Sequence, residues 1–215
     1  MAVSEMASDD YHKLVRDDAL ELVQGHAGKV LDIGGGVGAT SASLKKAGRA
    51  DHIVLVDLVA DRKLPEIDAA FVGDLQDAAF LQQVTQDHGP FDTILCLDVL
   101  EHLPDPWSVV GHLHHALSDN GNLIISVPNM RNIQLVLPLV MKGKFELKEE
   151  GLLDRTHLRW FVRDTARQLV TCSGLKLDAF WPKVMRGRKY QLLDKLTLGL
   201  FRDFLVIQFL ARVKK

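Results

Sequence analysis

Short, nearly continuous apolar runs separated by amphipathic stretches dominate the first two thirds of the chain. Strand-like runs lie at Lys29–Ile33, His52–Asp57, Ala69–Val72, Phe91–Leu97 and Gly121–Val127, with two more at Leu175–Trp181 and Leu205–Arg212. Thr93-Ile94-Leu95-Cys96-Leu97 lacks the polar alternation of a half-exposed strand and suits a central strand covered on both faces. Helical spacing fills the intervals at Ala39–Ala47, Asp77–Gln86 and Pro106–Leu117, and an opening helix over Asp10–Gln24 would cover the sheet or the mouth of a binding site. Strands alternating with helices predict an α/β fold with a doubly wound, mostly parallel seven-stranded sheet. Two stretches fall outside the alternation, about 128–160 after the fifth strand and about 183–203 before the last. They read as insertions in a single domain over 1–215, because no low-complexity linker divides the chain.

In an open parallel sheet, ligands gather at the carboxyl ends of the strands, and three of these strands end in Asp32, Asp57 and Asp98. Three converging carboxylates repel one another unless a cation or a hydroxyl-rich ligand lies between them, which makes this end of the sheet the candidate site. The first acid opens the run Asp32-Ile33-Gly34-Gly35-Gly36-Val37-Gly38. Its glycines permit a sharp strand-to-helix turn and close approach of a ligand to the free N–H groups of the following helix. Gly34, Gly36 and Ala39 also satisfy the dinucleotide pattern G-x-G-x-x-G/A, with Asp57 as its ribose acid, so an NAD-dependent oxidoreductase is one reading. Asp32 favours another, because a pyrophosphate would meet its negative charge, whereas S-adenosylmethionine (SAM) carries an ammonium and a sulfonium and no phosphate.

The overall charge of −2 changes little, but its distribution does. From Lys183 to Lys215 nine basic residues face two acids, a net of +7, which leaves −9 for the remainder. With Leu192, Leu196, Leu198, Leu200 and Phe201 interleaved, that tail suits peripheral contact with a membrane surface, or else packs on the core with a solvated basic face. Nothing in the balance calls for a nucleic-acid partner. Cys96 and Cys172, each within an apolar run, read as buried thiols of a reducing compartment. Without an apolar signal core or a membrane-span pattern, a cytoplasmic location is expected.

The chain resembles the class I SAM-dependent methyltransferases, whose fold is Rossmann-like. The resemblance rests on Leu31–Gly38, on Val54-Leu55-Val56-Asp57, on Gly73-Asp74-Leu75, on Phe91–Leu103 with its Asp98-Val99-Leu100-Glu101-His102, and on Gly121–Asn129. A shorter stretch, Gly151–Phe161, is similar to a segment of bacterial methyltransferases associated with glycosyltransferases and surface-polysaccharide synthesis. There Val162 departs from the usual helix-capping threonine, and Asp164 is the candidate replacement. The resemblance implies SAM as cofactor. Asp32, Gly34, Gly36 and Gly38 would lie under its methionine end and ribose, Asp57 and Leu58 beside the ribose, and Asp74 and Leu75 around adenine. Leu97, Asp98 and Val99 would line the side near the methyl group.

Methyl transfer from a sulfonium needs the acceptor atom held about 3 Å from the methyl carbon and water excluded. For a hydroxyl acceptor a base helps, and His102 and His157 are the candidate catalytic residues. The plainer alternatives are a helix-start histidine for His102 and, for His157, an ion-pair knot with Asp154, Arg155 and Arg159. His112, His114 and His115 cluster on one helix, but only the first and third share a face, so no metal site is expected. Ile133–Met141 is strongly apolar and contains Pro138, which should break or kink a helix. It would contact a lipid-linked acceptor, the domain itself or a second copy in a homodimer. The leading expectation is methyl transfer to an oxygen of a saccharide-type or lipid-linked small molecule. The alternatives are the oxidoreductase and a non-catalytic SAM-binding partner of a glycosyltransferase.

Overall fold

A computed structural model describes residues 14–58 and 63–215. Its elements are α1 (Asp17–Leu20), β1 (Gly28–Ile33), α2 (Ala39–Lys46), β2 (Ala50–Asp57), β3 (Ala69–Val72), α3 (Ala78–His88), β4 (Phe91–Leu97), a 3-10 turn (Leu100–His102), α4 (Pro106–Ala116), β5 (Leu117–Pro128), α5 (Ile133–Lys142), α6 (Arg163–Thr171), β6 (Lys176–Val184), α7 (Arg188–Leu196), α8 (Arg202–Leu205) and β7 (Val206–Lys214). The seven strands form one sheet in the order β3-β2-β1-β4-β5-β7-β6. β1 to β5 pair in parallel, and β7 enters antiparallel between β5 and β6. The order reverses between β1 and β4, which opens the crevice beyond their carboxyl ends.

The unbroken apolar runs are explained by double cover. Leu31 and Ile33 of β1, with Ile94 and Cys96 of β4, pack in one core with Leu81, Leu113 and Leu169 of α3, α4 and α6. Their neighbours Val30 and Leu95 face the other core with Ala19, Ala42 and Leu44 of α1 and α2. Helix starts follow local chemistry: Asp77 accepts from the amides of Ala79 and Phe80 (3.0 and 3.2 Å), and Asp105 accepts from Ser108 ahead of Pro106.

Several expectations are corrected. Of the opening helix only Asp17–Leu20 is helical among the described residues, and 1–13 lie outside them. The α5 helix runs through Pro138, started by Asn132, whose side chain accepts from Gln134 N–H, and ended at left-handed Gly143. At α6 the replacement cap is Thr165, not Asp164: its hydroxyl accepts from Val162 N–H (2.9 Å) and donates to Val162 C=O (3.1 Å). Cys96 is buried, but Cys172 is exposed at the end of α6, where the apolar run reaches the surface. The basic tail is partly consumed internally. Arg212 is buried and pairs with Asp178, Lys214 joins the same carboxylate, Lys215 donates to Leu117 C=O and Lys183 pairs with Asp18. Among the described residues no helix is long and apolar enough to cross a membrane.

The glycine loop is shaped by backbone and packing together. Gly34 has φ +67°, and a Cβ there would stand 2.3 Å from Cγ2 of Val99. Gly34→Ala is therefore expected to cost about 2–4 kcal/mol, combining a left-handed alanine with overpacking. A urea unfolding midpoint unchanged from the parent would contradict this. Gly38, at φ +80°, would meet Ile67 Cδ1 at 2.6 Å in the same way.

Candidate active site

An open cavity of about 260 Å³ lies beyond the ends of β1 and β4. Its floor is Asp32, Ile33 and Gly34–Gly36, its walls are Thr40, Leu97 and Asp98, and Leu14, Arg16, Lys183 and Gln208 close over it. The volume lies just below the usual range of small-molecule pockets.

Asp32 is 2% exposed, and its carboxylate accepts from the Ser41 hydroxyl at 2.5 Å. Burial, only partly offset by Ser41 and reinforced by Asp57, pushes its pKa up to about 6. A carboxyl whose folded pKa is raised above its unfolded value favours folding only while protonated. Its contribution is full below pH about 4 and is lost as pH rises through about 6. At neutral pH the buried charge thus destabilises the ligand-free protein, and Asp32→Asn is expected to stabilise it by about 1–3 kcal/mol at pH 7.5. That advantage should shrink below pH 6 and vanish near pH 4. Paired urea titrations across this range check it, and a variant less stable than its parent at pH 7.5 would overturn it.

Asp57 ends β2 and accepts from Gly36 N–H at 2.8 Å, so the ribose-acid candidate also braces the loop. Leu58 beside it is exposed. Asp74 is exposed and accepts from Gln76 N–H (2.9 Å), with Leu75 buried next to it in the core. Gly38 caps α2, and Val99 packs on Gly34 rather than lining the cavity. The predicted cofactor residues thus divide. Asp32, Gly34, Gly36, Leu97 and Asp98 share the cavity, whereas Gly38, Asp57, Leu58, Asp74, Leu75 and Val99 lie outside its lining.

The convergence of acids is relieved from an unpredicted quarter. Asp98, at φ +58°, accepts from Ser126 Oγ (2.9 Å), Gln208 Nε2 and Arg16 Nη1. Arg16 also pairs with Asp18 (2.9 Å), which in turn receives Lys183 (2.6 Å). Sequence reasoning missed Arg16, Gln208, Lys183 and Thr40. Arg16, Lys183 and Gln208 come from distant parts of the chain and carry no motif, whereas Thr40 stands two residues past Gly38 and could have been found from the loop.

Beyond Asp98 the chain turns through Glu101 and His102. Glu101 C=O accepts from Leu158 and Arg159 N–H (2.8 and 2.9 Å), which fastens the 151–161 stretch to the end of β4. This brings the two candidate histidines together, with ring centroids 4.7 Å apart at 68°. Thr156 Oγ1 donates to Asp154 Oδ1 (2.6 Å) and lies 2.9 Å from His102 Nδ1. A hydroxyl has one proton, so Thr156 accepts from His102 Nδ1–H and leaves Nε2 with its lone pair. Burial raises Asp154, but the bonds from Thr156 and the neighbouring imidazoles outweigh it and hold the carboxyl below its ordinary range. Burial and the neighbouring His102 lower the pKa of His157, which favours its neutral form. The arginines of the alternative ion-pair knot turn elsewhere: Arg155 pairs with Glu149 (2.7 Å) and Arg159 donates to Pro104 C=O. In the helix cluster His114 and His115 stack at 5.5 Å, and His114 Nδ1 contacts Ser173 C=O. The cluster brings no third ligand, whereas a carboxylate oxygen of Glu101 and one nitrogen each of His102 and His157 lie within 4.8 Å of one another.

The strand order with its reversed β7, and a glycine turn leading from β1 into α2, define the class of SAM-dependent methyltransferase folds. A SAM-dependent methyltransferase of Archaeoglobus fulgidus superposes with a TM-score of 0.60 at 16% identity, covering 99% of this chain and 94% of that one. One from Mesorhizobium loti gives 0.59 at 15%, covering 93% and 96%. The particular family follows from residues 6–179, which match the methyltransferase domain family, and the chain belongs to it. SAM is its cofactor, and the dinucleotide alternative falls with that assignment. Among curated relatives, the ubiquinone biosynthesis O-methyltransferase of Xylella fastidiosa is 27% identical over 163 residues, 70% of this chain and 65% of the relative. That of Pseudomonas aeruginosa is 34% identical over 141 residues, 63% of this chain and 58% of the relative. The match therefore spans less than two thirds of these relatives' length.

Proposed function

We propose that the protein transfers the methyl group of SAM to a hydroxyl oxygen of a lipid-linked small molecule. The observation that carries this is the placement of the His102–His157 pair just past Asp98, the residue that walls a cavity floored by the glycine loop. The methionine end of SAM would occupy the cavity, its ammonium and sulfonium drawn by Asp32 and Asp98, and its carboxylate by Arg16 and Lys183. Asp57 would accept both ribose hydroxyls, and adenine would lie against Asp74 and Leu75. His102 Nε2, held as the acceptor tautomer by Thr156, would take the proton of the incoming hydroxyl, with neutral His157 beside it.

Support for an oxygen acceptor on a lipid-borne molecule comes from two directions. The curated relatives are named as O-methyltransferases of ubiquinone biosynthesis. The α5 helix and the irregular stretch after it leave Leu137, Leu139, Val140, Met141, Phe145 and Leu147 exposed, close in sequence to Lys142, Lys144 and Lys148. In the second insertion α7 buries none of its residues, and Arg186, Arg188, Lys189, Lys195 and Arg202 accompany exposed Leu192, Leu196 and Phe201. Such basic and apolar surfaces suit contact with an anionic membrane, where each basic residue contributes about 1 kcal/mol. A saccharide-type head group is supported by the resemblance of Gly151–Phe161 alone.

The test is transfer from methyl-labelled SAM to a prenylated dihydroxybenzene and to a polyprenyl-linked sugar, each in anionic vesicles. Label on an oxygen of either acceptor supports the reading and identifies the head group. Label found only on a nitrogen or only on water-soluble acceptors would overturn it, and SAM binding without any turnover would favour a binding partner over an enzyme.

A further inference from the structure

Three ring contacts in succession lead away from the candidate base, and the methyl-transfer reading uses only the first. His102 and His157 meet at 4.7 Å with 68° between ring planes, His157 and Trp160 at 5.8 Å and 75°, and Trp160 and Phe145 at 5.9 Å and 69°. Each ring turns an edge to the next, an arrangement that aromatic pairs favour over a face-to-face sandwich. The outer two rings meet water: Trp160 is 38% exposed and Phe145 44%.

The backbone holds this series in place. Lys148 N–H donates to Leu153 C=O (2.8 Å) and Arg155 N–H to Lys148 C=O (2.9 Å), which folds the arm carrying Phe145 back along the segment that leads to Trp160. Met130 N–H donates to Phe161 C=O (2.9 Å), so the stretch from Leu158 to Phe161 is tied at both ends. Charges beside the rings are answered within the arm, Lys144 by Glu146 (3.3 Å) and Arg155 by Glu149 (2.7 Å). The arm thus presents fixed rings to solvent, with Leu147 and Leu158 exposed next to them in sequence. A grouped apolar surface rimmed by polar residues marks a binding groove, where scattered single residues would not.

We propose that Trp160 and Phe145 form the subsite for the apolar chain of the acceptor, a hydrocarbon tail that leaves its hydroxyl-bearing head at His102 and runs outward across the ring edges. The inference rests on the proposed reading of His102 as the base and of the acceptor as lipid-linked. Continuity then identifies the occupant. The ring series begins at the histidine that takes the hydroxyl proton and ends at Phe145, four residues beyond Met141 and the exposed apolar end of α5. Ring surfaces hold a hydrocarbon by dispersion and by excluding water, so the subsite grips the chain without fixing its length. Contacts of this kind are equal in the ground and transition states, and they set KM and leave kcat unchanged.

The experiment is calorimetric titration of the full-length protein with geraniol, an isoprenoid alcohol, in buffer without SAM, vesicles or detergent. One geraniol per chain is expected, with affinity lowered about tenfold by Trp160→Ala or Phe145→Ala and little changed by Trp160→Phe. Trp181→Ala, at an exposed tryptophan of β6, should leave it unchanged. Should Trp160→Ala fail to fold, as circular dichroism would reveal, Phe145→Ala carries the test. No stoichiometric binding by the parent, or an affinity that survives the alanine substitutions, overturns the subsite. So does a parent dimer that Trp160→Ala dissociates in sedimentation velocity, because the rings would then cover a second copy. The readout needs no turnover, which separates the two failures. O-methylation by a protein that does not hold geraniol through these rings leaves the base reading intact, and label on nitrogen alone would sink that reading without altering the geraniol result.

Discussion

Replacing Asp57 by alanine is expected to weaken SAM binding by about 100- to 1,000-fold. The carboxylate stands at the end of β2 and braces the glycine loop through Gly36 N–H at 2.8 Å. In the proposed complex it also accepts two ribose hydroxyls. Each hydrogen bond to a charged acceptor contributes about 1.5–3 kcal/mol, so at the lower end, about 1.5–2 kcal/mol each, losing the pair costs roughly 3–4 kcal/mol of binding. Asp57→Asn keeps the shape and one acceptor, and should fall between alanine and the parent. Both variants should stay folded, since Asp57 lies at a strand end and only partly buried. Isothermal titration with SAM checks the series, and parental affinity in Asp57→Ala would show that the ribose lies elsewhere.

The second large effect is expected at His102. His102→Ala should lower kcat about 10²- to 10⁴-fold, the usual contribution of a positioned base, while SAM affinity stays at the parental value. The separation follows from placement, because the cofactor cavity is lined by Asp98 but not by His102. Thr156→Val should give a milder loss of about tenfold, since it removes the partner that fixes the His102 tautomer but not the imidazole. Single-turnover rates with saturating SAM make the measurement. Full turnover in His102→Ala, or a loss that follows SAM affinity, would remove the histidine from the acceptor side.

The sheet and the cofactor loop were legible because their signals are local. An apolar run covered on both faces needs no partner information to read as a central strand, and Asp32-Ile33-Gly34-Gly35-Gly36 carries its own turn geometry. The strand-end acids could be placed at one crevice by topology alone. What neutralises them could not. Arg16 and Gln208 reach Asp98 across 82 and 110 residues of sequence, and no periodicity encodes such contacts. The pairing of His102 with His157 was likewise out of reach, since it depends on Glu101 C=O capturing the amides of Leu158 and Arg159. Expectations built on single residues were settled by contacts that the residue alone does not name. Helix α5 continues through Pro138, Thr165 and not Asp164 caps α6 by a local contact, and of the two readings of the basic tail the packed one holds for Arg212 and Lys214, which pair with Asp178. The buried, unpartnered oxygen of Glu101 had no sequence signature, since a glutamate before a histidine reads as surface until its burial is seen.

The central claim is that the cavity floored by the glycine loop holds SAM, and calorimetric titration of the purified protein with SAM, and separately with NADH, tests it most directly. The account predicts one saturable site for SAM with micromolar affinity, weakened about 100- to 1,000-fold in Asp57→Ala, and no heat from NADH. Absence of SAM binding by the folded protein, or NADH binding at the same site, would contradict it.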